Sequence, residues 1–159
     1  MIKDREIRDM TEEIGIIEPT DWAPIESMIK VIGVGGAGCN AVNYMFKAKI
    51  HIGRNSLGAG TDPDMGRKAA LEAKDKIEKV VMTEETRMLF ITAGMGGGTG
   101  TGAAPVIAEM AKSKGILTVA VVTIPAETDG IITLSRAIDG IHELVKNVDS
   151  LLIINNEKI

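Results

Sequence analysis

Apolar residues in this chain gather into short unbroken runs, and between the runs they recur at helical spacing. MIKVIGV (28–34), RMLFITA (87–93), ILTVAVVT (116–123) and DSLLIIN (149–155) each read as a buried strand. KIHI (49–52) is a shorter strand candidate. Helices are expected from Gly38 to Phe46, from Pro63 to Lys79, from Thr99 to Lys114 and over 131–147. Asp62 is placed to N-cap the second of these, with Pro63 as its first residue and Gly115 closing the third. Strands that are apolar on both faces, alternating with helices, predict an α/β fold: a doubly wound, mostly parallel sheet with helices on both faces. The strand at 49–52 is expected beside the strand at 29–34. In such sheets a ligand sits outside the carboxyl ends of the strands.

Residues 1–28 do not share this pattern. They hold eight acids against three bases and end in turn residues around Pro19 and Pro24, so they read as a flexible charged leader before a domain at 29–159. Trp22 is a candidate anchor for the end of that leader. Composition narrows the function classes. A net charge of −4 argues against nucleic acid as a partner. No apolar run approaches the roughly 20 residues of a membrane span, and no signal peptide opens the chain, so direct membrane insertion is not expected and the cytoplasm is the expected location. Cys39 is the only cysteine, so no internal disulfide can form. His51 and His142 have no neighbouring Cys or His in sequence, and no metal site is expected. The acids at Asp62 and Asp64 are explained by capping and the helix dipole. EAKDKIEK (72–79) reads as a solvated helix face carrying i,i+4 charge pairs.

Two glycine-rich segments stand at strand ends. GVGGAGCN (33–40) contains G-x-G-x-x-G at Gly33, Gly35 and Gly38. Glycine there allows a tight turn and close approach of helix amides to a phosphate. A dinucleotide oxidoreductase is the alternative, but it needs an acid about 20 residues on to hold a ribose hydroxyl, and no acid stands between Gly38 and Asp62. The second segment, GMGGGTGTG (94–102), follows a strand and opens a helix. Successive amides without Cβ atoms form an anion-binding nest, and Thr99 and Thr101 add hydroxyl donors. No lysine follows, so it is not the G-x-x-x-x-G-K-[ST] loop. Met88 and Met95 flank the preceding strand and read as core, with Met95 also placed to line a ligand.

GGGTGTG (96–102), with KVIGVGGAGCNAVN, LGAGTDPDMGRKAA and FITAGMGGGTGTGAAPVIAEMAK, resembles the tubulin/FtsZ family, whose bacterial FtsZ members are GTP-binding cell-division proteins. The resemblance runs from Ile29 to Ile159 and covers the nucleotide-binding half of the family. It implies GTP or GDP as ligand, with Mg2+ accompanying the nucleotide. Gly36, Ala37, Gly38 and Asn40 match the family's first phosphate loop, and Cys39 fills a variable place in it. Gly58, Ala59 and Gly60 match the loop that senses the terminal phosphate. Gly96, Gly97, Gly98, Thr99 and Gly100 match the core of the signature loop. Asn156 matches an Asn at the nucleoside end.

The chain also departs from the family. An Asn-Thr-Asp motif after the first helix has no counterpart, which reads as an internal deletion. Asp129 stands where the family has Glu at the ribose, and Thr133 where it has Arg. The sequence reaches Ile159 before the family's central helix, its water-positioning acids and its second domain. The resemblance therefore implies a GTPase relative without self-sufficient hydrolysis, and no catalytic residue is assigned. In the family, filaments form head to tail, the nucleotide face of one subunit meeting the second domain of the next. This implies full-length FtsZ as a partner, docked through the nucleotide face, and a capping module as the alternative role.

Overall fold

The computed structural model of the chain describes residues 28–43 and 59–155. Four strands, β1 (Ile29–Val34), β2 (Met88–Gly94), β3 (Leu117–Ile124) and β4 (Ser150–Asn155), form one sheet in the order β1-β2-β3-β4. All pairs are parallel. Val34, Ala93, Val122 and Ile153 share one register row, so the chain leaves β1, β2 and β3 at the same edge. That edge carries the site.

The helices are α1 (Gly35–Asn43), α2 (Pro63–Glu72), α3 (Lys74–Val81), α4 (Gly98–Ser113) and α5 (Ile131–Val145). Leu89, Ile91 and Ala93 of β2 and Thr118, Ala120 and Val122 of β3 alternate onto one face and are buried there. They share a core with Ala103, Ala104, Ile107, Ala108 and Ala111 of α4, whose small side chains let that helix lie close to the sheet. The opposite face meets α1, where Ala37 occupies the space a Cβ on Gly94 would take (2.7 Å). Helices thus cover both faces of a parallel sheet, as the alternation of runs predicts.

Packing of α2 on α4 is backbone against backbone. A Cβ on Gly102 would lie 1.9 Å from the Pro63 carbonyl oxygen, and one on Gly66 2.3 Å from that of Gly98. This contact fixes the loop before α2 against the start of α4. Asp62 caps α2 as expected, its carboxylate accepting from the Asp64 amide at 3.0 Å, and Pro63 opens the helix.

The boundaries differ from the sequence reading in three places. The helix expected over 63–79 is two helices, interrupted at Ala73 (φ −95, ψ 8). Gly66, Ala70, Ile77 and Val81 are buried on both sides of the break, so periodicity alone reads it as continuous. Within it, Lys74 and Glu78 form one i,i+4 pair at 3.9 Å, and Lys114 adds a 3.2 Å contact to Glu78. The first helix begins at Gly35 rather than Gly38, because Gly35 turns at φ +74 directly out of β1. Its low helix propensity hides that start from the sequence. The last long helix stops at Val145, where Lys146 donates to Glu143 at 2.6 Å and holds that exposed carboxyl below its ordinary range. The strand expected at 49–52, its place beside β1, the leader at 1–28 apart from Met28, Trp22 and His51 lie outside the described residues. Gly115, at φ +70, ends α4 as expected.

Candidate functional site

A cleft of about 340 Å³ opens at the carboxyl edge of the sheet. Three turns build its walls. Gly35, Gly36 and Ala37 come from the β1–α1 junction, Gly94, Met95, Gly97, Gly98, Thr99 and Gly100 from the β2–α4 junction, and Thr123, Pro125, Asp129 and Thr133 from the β3–α5 junction. Gly60 closes one side. Helices α1 and α4 both begin at this cleft, so the positive ends of two helix dipoles point into it. Among the described residues no lysine or arginine lines it, and what those residues offer an anion is backbone amides and hydroxyls.

The glycines separate into two kinds. A Cβ on Gly33 would lie 2.4 Å from the Gly38 carbonyl oxygen, on Gly38 2.2 Å from that of Thr92, and on Gly100 2.2 Å from that of Gly94. Those three are small because protein backbone fills the space. Gly36 and Gly97 line the cleft, and a Cβ on either would meet no described residue within 4 Å. Gly97 has φ −83 and ψ 169, which any residue can adopt. Among the described residues, neither packing nor backbone conformation requires glycine at Gly97.

Hydrogen bonds hold this wall in shape. The Met95 amide donates to the Thr123 carbonyl at 2.8 Å, and the Gly98 amide to the Gly60 carbonyl at 2.9 Å. The Ala59 amide donates to Thr99 Oγ1 at 3.0 Å, which joins the 59–60 turn to the first turn of α4. Helix geometry leaves the first-turn amides of α4 without intrahelical acceptors. With Gly98 directed to Gly60, the amides of Gly97, Thr99 and Gly100 remain for an anion. The Thr99 hydroxyl accepts from Ala59 and retains its own proton to donate. Asp129 sits in a short 3-10 turn (Glu127–Asp129), where one carboxylate oxygen accepts from the Ala126 amide at 3.0 Å. Its other oxygen can accept at the cleft's far end.

The structure brings together Gly36, Ala37, Gly60, Gly97, Gly98, Thr99, Gly100 and Asp129 from the sequence-predicted set. Gly38, Cys39, Asn40, Ala59 and Gly96 do not line the cleft. Gly38 packs against β2, and Cys39 Sγ contacts the Gly33 carbonyl at 3.4 Å. Gly96 is buried behind the wall at φ +101. Gly58 and Asn156 lie outside the described residues. Thr101 requires a correction: it is not a donor to a ligand. Its side chain is buried, and its hydroxyl accepts from the Gly96 amide at 2.8 Å. Met95 is buried in the core, as expected, and also reaches the cleft. Met88 is half-buried. Sequence reasoning passes over Thr123 and Pro125, though the strand-end rule points to their turn. Among the described residues no cluster of three His, Cys, Asp or Glu could hold a metal, and no helix is long and apolar enough to cross a membrane.

The GTPase domain of the tubulin/FtsZ family matches residues 47–159. Cell division protein FtsZ of Pseudomonas putida is 46% identical over 91% of this chain and 42% of its own length. That of Porphyromonas gingivalis is 43% identical over 83% of this chain and 35% of its own. A solved structure of an empty FtsZ dimer from M. jannaschii superposes with a TM-score of 0.77 at 34% identity, covering 98% of this chain and 50% of that one. The chain therefore spans half or less of the length of these relatives.

Proposed function

The chain belongs to the tubulin/FtsZ family, and from that premise we propose that its cleft binds a guanine nucleotide, GTP or GDP, by the phosphates. The observation that carries this reading is the pairing of Gly36 and Gly97, two glycines with no described residue against them, at the N-termini of two helices that meet at one cleft. The amides of Gly97, Thr99 and Gly100 and the Thr99 hydroxyl hold the phosphate oxygens. Gly36 and Ala37 close the opposite wall. The Asp129 carboxylate would repel a phosphate, so it belongs at the ribose end, accepting from a hydroxyl. Ala59 and Gly60 belong toward the terminal phosphate and Gly38, Cys39 and Gly96 pack behind the loops, while family resemblance alone assigns Gly58 to the terminal phosphate, Asn40 to the first phosphate loop and Asn156 to the nucleoside end.

Magnesium would neutralise phosphate charge when bound, and the described lining offers it one carboxylate, so the ion would come with the nucleotide. Hydrolysis in such a site depends on positioning and electrostatic stabilisation. This chain's residues position the phosphates, and none of them is assigned to activate water. The alignment with the Pseudomonas putida relative runs over 171 positions against a chain of 159 residues, which supports an internal deletion here. The names of the relatives support a place in cell division, and a cytoskeletal role in the cytoplasm belongs to this same proposal.

Phosphates then contribute most of the affinity and the base little. Calorimetric titration with GTP and ATP should give dissociation constants within about tenfold, about 1.4 kcal/mol, of each other. Failure of both to bind would reject the nucleotide reading. A far larger preference for GTP would reject the dominance of the phosphates.

A further inference from the structure

We infer that Thr101 is the positioning residue of the phosphate cradle: a buried clip that fixes the 94–98 loop between α4 and α5 without touching a ligand. The proposal rests on the nucleotide reading of the cleft and adds a residue to it. Thr101 is 4% exposed and absent from the cleft wall. Its two branches do different work. The hydroxyl accepts the Gly96 amide at 2.8 Å, inside the protein. The methyl stands where a Cβ on Gly140 of α5 would be, 2.4 Å from that position.

Gly96 needs this support. It sits at φ +101, a conformation open to glycine and strained for other residues. A Cβ there would lie 2.7 Å from Thr133 Cγ2 and 3.2 Å from the Pro125 ring, so the peptide is already pressed against the start of α5. Without the Thr101 hydroxyl its buried N–H would have no partner, and the peptide would turn to find one. The next residue is Gly97, whose amide and bare Cα form the cleft wall. A rotation at Gly96 therefore moves the anion-binding amides directly.

Both contacts of the clip also reach α5: Gly96 rests on Thr133, and Thr101 fits into the space at Gly140. The loop thus takes its position from the seating of α5 on α4. Serine at 101 keeps the hydroxyl and loses the methyl. Valine keeps the shape and loses the acceptor. Alanine at 140 leaves both groups of Thr101 intact and pushes against the methyl.

These differences define the test. The full chain and its Thr101→Ser, Thr101→Val, Gly140→Ala and Gly140→Ala/Thr101→Ser variants are titrated with GTP, and the exchange of the Gly96 amide is followed by NMR without nucleotide. Thr101→Val and Gly140→Ala should each weaken GTP binding by about tenfold and speed exchange at Gly96, the size expected for one buried hydrogen bond. Thr101→Ser should stay within about threefold, and the double variant should recover most of the loss of Gly140→Ala, because serine has no methyl to clash. Thr101→Val with wild-type affinity and a protected Gly96 amide would overturn the proposal. So would a double variant no better than Gly140→Ala, a result available even if Thr101→Val does not fold. A wild-type chain that ignores GTP would reject the nucleotide reading, while the exchange data would still decide whether Thr101 holds the loop.

Discussion

Gly97 and Gly102 belong to one glycine-rich run, and the surrounding atoms impose different demands on them. Gly97 has an ordinary backbone conformation and an open wall in front of it. Replacing it with alanine should cost no more than about 1 kcal/mol of stability, the size of a changed N-cap residue. The added methyl would occupy the cleft wall, so GTP affinity should fall by far more than stability does. Thermal melting and calorimetry on Gly97→Ala check both halves, and unchanged affinity would remove Gly97 from the site. Thr99 gives the complementary case. Thr99→Val keeps the shape and removes the acceptor for the Ala59 amide together with a donor to phosphate. GTP binding should weaken by about 0.5–1.5 kcal/mol, and more where the lost bond is to a charged oxygen. ADP and GDP titrations should register the same loss, since the hydroxyl does not meet the base.

At the scale of elements, the seam between α2 and α4 is set by glycine backbone rather than by interlocking side chains. Gly102→Ala places a methyl carbon 1.9 Å from the Pro63 carbonyl oxygen, and backbone cannot swing away as a side chain can. The helices must separate, at a cost of about 1–3 kcal/mol typical of overpacking. The melting temperature should drop, and the turn at Gly60, which receives the Gly98 amide, should loosen with it. An unchanged melting temperature would show that the seam yields easily. Much of this layer is legible in the sequence. Unbroken apolar runs mark parallel strands, because both faces are covered, and Asp62-Pro63 marks a helix start by capping chemistry. What stays hidden has physical causes. The interruption at Ala73 leaves the apolar stripe in phase, so no periodicity registers it. The glycine loops announce close approach, but spacing alone does not separate Gly38, pressed on β2, from Gly36, facing the cleft. The position of a Cβ in space makes that distinction. Thr101 shows the same gap: its residue type permits donation to a phosphate, and only burial turns its hydroxyl toward Gly96.

At the scale of the whole molecule, the cleft lies on one edge of the sheet, and assembly through that edge follows from family membership as a proposal. Relatives are more than twice as long as the matched region in the Pseudomonas putida case, where the match covers 42% of the protein. In a polypeptide of these 159 residues the described residues form a single sheet with its helices, and the cleft proposed to hold nucleotide lies at the sheet's carboxyl edge. A head-to-tail contact is heterologous, so growth of a filament needs two different surfaces on every subunit. Were the cleft face the one assembly surface offered, such a polypeptide would occupy one end of a filament without extending it. By itself it should give no GTP-dependent filaments, and its GTP turnover should stay near background. Added in molar excess to full-length FtsZ with GTP, it should lower light scattering and shorten the filaments seen by electron microscopy. Gly97→Ala in the added polypeptide should weaken this effect, because nucleotide then fails to fill the interface. Unchanged filament length would reject docking through the cleft face, and filaments from the polypeptide alone would show that it carries a second assembly surface.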